Sequence, residues 1–314
     1  MSSLTLAPRG LTWLVLRQRR GAVWTGLAGL FVVVVQLVIL RFALLDAVER
    51  HDLTGPDPSA GALADFRASY GDVLHYNGLL VQYLPLVVAM IVAGPMVARE
   101  LESGTYKLAW TQSVTPARWL LAKLAVPAVA VLAGGSLLSA VYTWTWSAVP
   151  HELLPGQLWY HSFDMLGPAP VAGALAGIGL GAVAGLLVRR TTGAMAAVLV
   201  GYGLLGFALG RLRPRLIPPW TETTPEMPGL AGDDAWRFER GIITRAGERL
   251  AEPDCGIGVA PARCLAEHDA DRWYLDYHPA SHLWPLEWAE AGILLAVAAL
   301  AGAAALRLVR RPLP

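Results

Sequence analysis

The chain has 314 residues, 55% of them hydrophobic and 16% charged, with a mean hydropathy of +0.46. Soluble domains carry about a quarter charged residues, so the composition excludes an ordinary globular enzyme. The net charge of +1 points to no nucleic-acid partner. The two cysteines, with no CxxC spacing, exclude a zinc ribbon or iron–sulfur centre built by this chain alone.

Segment 1–21 mixes Leu11, Trp13, Leu14 and Leu16 with Arg17, Arg19 and Arg20, a pattern that predicts an interfacial helix on the inner leaflet. The apolar run that follows, 22–40, exceeds the roughly 7–15 residues of a signal h-region and ends in no small-residue cleavage site, so it reads as a retained span. A helix crosses the hydrocarbon core with about 20 apolar residues. Six stretches meet that length: 22–40, 79–98, 124–146, 167–188, 191–210 and 286–306. Lipid offers no partner to an unpaired backbone group, so each must be helical. Pro168 and Pro170 fall in the first turn of span four, where a missing N–H costs little, whereas Pro85, Pro95 and Pro127 should kink spans two and three.

Orientation follows the basic residues. Residues 1–21 hold four, the connection after span two holds four (Arg99, Lys107, Arg118, Lys123), and the turn between spans four and five is Arg189–Arg190. The tail adds Arg307, Arg310 and Arg311. Segment 41–78 has three Arg against six acids, and 147–166 has no Lys or Arg. Both termini are therefore expected in the cytoplasm. Tyr142, Trp144, Trp146, Trp159, Tyr160, Trp284 and Trp288 then fall at the outer boundary, as an aromatic belt requires.

The expected organisation is an all-α membrane protein: 1–21 interfacial, 22–210 carrying spans one to five, 211–283 an extracytoplasmic subdomain, and 284–314 span six with its tail. Segment 211–283 has the prolines and acids of a surface module, with Trp220, Trp236, Phe238 and Trp273 to pack it. Cys255 and Cys264 both lie in it, on the oxidising side, which predicts a disulfide; two free buried thiols are the alternative. The seven histidines also fall outside and read as surface residues, with no metal site.

Three features bear on function. The connection 98–123 alternates its charges and is punctuated by Gly104 and Pro116, which suits a structured functional loop or a solvated hairpin. Span four carries Gly173, Gly177, Gly181 and Gly185, GxxxG steps that let a helix approach closely, either from within the bundle or from a second subunit. The spans offer almost no midplane charge for an ion-coupled carrier, and Glu290 of the Glu287/Glu290 pair is expected at the outer interface. HExxH, GxSxG and GxxxxGK[ST] are absent, so neither hydrolysis at a catalytic centre nor ATP binding is expected of this chain.

The residues Arg99, Glu100, Glu102, Gly104, Thr105, Ser113, Val114, Arg118 and Lys123 resemble the cytoplasmic stretch of ABC-2 type transporter permeases. The run 278–288 leading into span six, and the layout as a whole, resemble bacterial members. The resemblance implies a plasma-membrane permease for export, paired with a second permease half. It implies a separate ABC-type ATPase carrying ATP and Mg, with no cofactor on this chain. Arg99, Glu100, Glu102, Gly104, Thr105 and Arg118 would form the ATPase-coupling contact. An ion-coupled secondary transporter or a membrane scaffold is the alternative.

Overall fold

The computed structural model describes residues 20–55, 58–106, 115–150, 153–154, 158–226, 234–254 and 260–311. The amphipathic segment 4–20 lies almost wholly outside them.

Helix α1 covers Arg20–Arg50. Span two is one continuous helical rod: α2 (Ala60–Val87), a π-helical turn (Val88–Ala93) and α3 (Gly94–Glu102). Span three has the same construction, with α4 (Pro116–Ala130), a π turn (Val131–Gly135) and α5 (Ser136–Trp146). Helices α6 (Ala169–Val188) and α7 (Thr191–Leu212) form spans four and five, and α9 (Leu283–Val309) forms span six. Among the described residues, six helical stretches are long and apolar enough to cross a membrane.

Spans two and three, with prolines in the helix interior, are respaced rather than broken. Pro85 and Pro127 each precede a π turn by a few residues, and the wider turn absorbs the backbone ladder disturbed by a missing N–H. Pro95 falls in the first turn of α3, immediately after the first of these turns.

Span two is longer than expected. Its 43 residues reach about 64 Å at 1.5 Å each, twice the hydrocarbon thickness. Residues 60–78, expected as part of a connecting loop, are helix. Ser59 caps them by accepting the N–H of Ala62 at 3.2 Å, and Phe66 and Leu74 bury against the ends of α1 and α5. A hairpin window of polar and apolar residues without a 20-residue apolar run hides such a helix from a span search.

The centre of the bundle is α6, the most buried of the six spans. Its glycine ladder faces span two. A Cβ added at Gly177 would stand 2.7 Å from Ala89 Cβ, one at Gly181 2.5 Å from Ala93 Cβ, and one at Gly185 2.9 Å from Val97 Cβ. At Gly173 it would meet Tyr202 Oη at 2.6 Å, with Pro85 next. Glycines every fourth residue therefore accommodate Pro85, Ala89, Ala93 and Val97, also every fourth residue. Gly179, off that face, admits Ala301 of α9.

Segment 211–283 departs from the all-α expectation. It holds a four-stranded antiparallel sheet of β1 (Trp220–Thr224), β2 (Trp236–Thr244), β3 (Arg249–Ala251) and β4 (Ala270–His278), in the order β1-β4-β2-β3. A short helix, α8 (Pro261–Glu267), packs on it around Ile242, Cys264, Leu265, Ala270 and Trp273. The signals were local. Trp236 and Phe238 alternate with charges in β2, and Gly247 supplies the positive φ of +84° that turns β2 into β3. The sheet rests on the bundle where Trp159 Nε1 donates to Asp234 O at 2.7 Å and its ring meets Trp236 edge-on.

Candidate functional site

At the end of the bundle remote from the sheet, α3 stops and the chain passes to α4. Gly104 has φ +71°, the left-handed conformation that closes a helix without a Cβ penalty. Thr115 opens α4 by accepting the Arg118 N–H, and Pro116 sits in its first turn. Lys107, Ser113 and Val114 lie outside the described residues.

Two glutamates fasten this connection to the bundle. Glu100 takes the indole N–H of Trp119 at 3.1 Å and an ion pair from Lys123, so it ties α3 to the start of α4. Glu102 Oε2 accepts the N–H of Thr191 at 2.9 Å and its hydroxyl at 2.6 Å, tying α3 to the first turn of α7. That carboxylate meets the positive end of α7 directly after Arg189 and Arg190. Arg189 closes α6 with φ +56°. Beneath lies a firm floor of Met96, Val97, Trp119, Leu120, Ala182, Leu186, Ala305 and Val309, drawn from spans two, three, four and six.

The expected contact residues therefore divide. Glu100, half-buried, and Glu102, at the surface, bind neighbouring helices, while Arg99, Arg118 and Thr105 are exposed and the backbone at Gly104 is partly open. Sequence reasoning named the glutamates but missed Trp119 and Thr191 as their partners. Only the 19- and 89-residue separations of those contacts, which no local pattern encodes, join them.

The sheet-side ends of the spans hold a second polar group. Arg213, just past α7, donates to Glu290 at 2.8 and 3.0 Å and pairs with Asp164, and its guanidinium lies 4.0 Å from the Phe163 ring centre. Glu287 is fully buried. Its Oε2 accepts the N–H of Ala169 at the start of α6, while Oε1 has no partner among the described residues. Asp164 lies in the connection 147–166 and Arg213 in the segment expected as the outer subdomain, so sequence reasoning left Glu290 unpaired.

His278, expected at the surface, is buried: Nε2 donates to Pro214 O at 3.1 Å, Nδ1 faces His282 Nδ1 at 2.8 Å, and the ring stacks on Phe238. It is the last residue of the central strand β4, paired with Trp236 of β2, shortly before span six begins. Cys264 is buried, and Cys255 lies outside the described residues. No group of three or more His, Cys, Asp or Glu residues that could hold a metal occurs among the described residues.

A bundle of six candidate spans around a glycine-faced central helix, with a braced connection at one end, defines a multi-pass membrane component. The chain belongs to the ABC-2 membrane transporter related family, which matches residues 27–213. It is thus a permease of the ABC transporter class, which works with an ABC ATPase in the membrane. No curated protein and no solved structure matches the chain.

Proposed function

We propose that the chain is the permease subunit of an exporter energised by a separate ATPase that docks on 98–123. Both termini are cytoplasmic, the sheet is outside, and a second permease half completes the pathway in a bacterial plasma membrane. ATP and Mg stay on the ATPase. The observation that carries the reading is the bracing of the connection. Through Glu100 and Glu102, a push on this one segment is delivered to spans two, three and five together. The exposed Arg99 and Arg118 are left to meet the partner.

Coexpression with candidate ABC-type ATPases from the same genome tests the proposal. Wild type should retain the ATPase through detergent purification and stimulate its hydrolysis, and Arg99→Glu/Arg118→Glu should lose both. Glu100→Lys/Glu102→Lys should hold the ATPase poorly and fail to stimulate it. A wild-type chain that neither binds nor stimulates the ATPase overturns the docking assignment.

A secondary, ion-coupled carrier is the second reading, favoured by one observation: Glu287 is sealed among spans with an unpartnered carboxyl oxygen. Substrate accumulation in vesicles driven by a proton or sodium gradient, with no ATPase present and lost in Glu287→Gln, would establish it.

A further inference from the structure

On the sheet side of the bundle a groove opens between spans three, four and six, with a volume of about 630 Å³. That lies within the ~300–1,000 Å³ of sites that hold small organic ligands. Thr143, Trp144, Val171, Trp284, Trp288 and Leu295 are among its lining residues, and its wall is overwhelmingly apolar. Two hydroxyls at its base are engaged with the backbone of Gly167. Ser139 Oγ donates to Gly167 O, and Thr143 Oγ1 accepts the Gly167 N–H at 3.1 Å. A wall this apolar favours a hydrocarbon chain over a polar solute.

The groove lies on membrane-crossing helices and opens outward: Trp144 and Trp284 are about half exposed, and Trp288 is 65% exposed. The medium at such a face is lipid. Indoles of this kind sit at the headgroup level, which places the mouth of the groove at the bilayer surface.

A cation stands beside that mouth. The Arg41 guanidinium of α1 lies 4.1 Å from the Trp144 ring centre and donates to Trp144 O. No carboxylate pairs with it among the described residues. Asp46, the next acid along α1, is taken by Arg50, and Glu287 behind Gly167 is turned to the Ala169 N–H. Arg213 on the same side is paired twice over. An unpaired guanidinium above an apolar groove has the layout of a phosphodiester above its acyl chain, and its fork of donors suits phosphate oxygens.

We propose that a bilayer phospholipid of the sheet-side leaflet lays an acyl chain in this groove and sets its phosphate on Arg41. The site is independent of the ATPase contact and needs only that the chain spans the membrane.

Native mass spectrometry of the full chain in detergent, titrated with palmitoyl-oleoyl phosphatidylglycerol, tests it. Ala140 lines the groove from its exposed side, so Ala140→Trp fills the groove without entering the core. Wild type should retain one lipid, and Ala140→Trp and Arg41→Gln should each weaken retention about tenfold, with Arg41→Lys intermediate. Glycerol 3-phosphate alone should not compete. Should a variant misfold, phosphatidylglycerol brominated in its chains should still quench wild-type tryptophan fluorescence at about one lipid per chain, and Trp284→Phe/Trp288→Phe should blunt the quenching. Retention equal in wild type and Ala140→Trp, displacement by glycerol 3-phosphate, or no retention by wild type overturns the proposal. Retention untouched by Arg41→Gln overturns the phosphate contact.

Discussion

Glu102 Oε2 receives both the backbone N–H and the hydroxyl of Thr191, so the last residue of span two caps span five. Glu102→Ala should release that first turn. Hydrogen exchange at the amides of residues 191–194 should speed up several-fold while those of α6 stay protected. Unchanged exchange would mean that Thr191 finds an equal partner elsewhere.

The glycine ladder of α6 gives a packing prediction. Gly181→Val would drive a side chain into Ala93 and should cost about 1–3 kcal/mol, as overpacking does. Gly201 and Gly206 of α7 have nothing within 4 Å of an added Cβ. Gly201→Ala and Gly206→Ala should leave the thermal unfolding midpoint in detergent unchanged or slightly raised, which separates a packing effect from a general intolerance of helix substitution.

Breaking the Arg213–Glu290 pair should be among the most harmful single changes on the sheet side. Glu290→Ala strands a guanidinium that is only 13% exposed, with Asp164 as its remaining partner. Loss of one member of a buried pair costs about 3–5 kcal/mol, whereas Glu290→Gln keeps an acceptor and should cost visibly less. Equilibrium unfolding in mixed micelles distinguishes the two variants.

His278 makes the sheet sensitive to acid. Burial holds its imidazole below the ordinary histidine range, the acceptor Pro214 O pulls the other way, and the neighbouring His282 adds to the lowering. Its other ring faces, Trp236 and Phe238, carry no charge. The unfolded chain therefore binds more protons than the folded one just below the ordinary value of about 6.5. Stability contributed here is complete above that pH and is lost as pH falls through it towards the depressed folded value. Exchange of the β4 amides should rise between pH 7.5 and pH 5.5 once corrected for intrinsic rates, and His278→Phe should flatten the rise.

The thiol prediction is simple to check. Maleimide should label neither Cys255 nor Cys264 in denatured, unreduced protein, and should label both after reduction. Labelling of two thiols before reduction would favour the free pair.

The spans were legible because lipid demands one property, a run of about 20 apolar residues, and 167–188, 191–210 and 286–306 each display it in isolation. Helices that leave the apolar zone were not. Residues 60–78 are helical because Phe66 and Leu74 find a core built from α1 and α5, a fact held by no window of the sequence alone. The connection was legible as a segment, through its charge pattern and its Gly104 stop. Its internal logic was not, since no local pattern ties Glu100 to Trp119 and Lys123 or Glu102 to Thr191. The buried His278 was missed for a related reason: a histidine in a polar segment was assigned to solvent, although the end of the central strand β4 delivers it to Pro214.

The continuity of span two sets a mechanical scale for the molecule. A stiff rod of about 64 Å that pivots within the membrane is a lever: a tilt of ~10° about one end sweeps the other through about 11 Å. The π turn at Val88–Ala93 lies two-thirds of the way along it, against Gly177 and Gly181, where side chains are smallest. A fulcrum at that point would give the sheet end the longer arm, so a small stroke at Glu102 would emerge as a larger one at the opposite face.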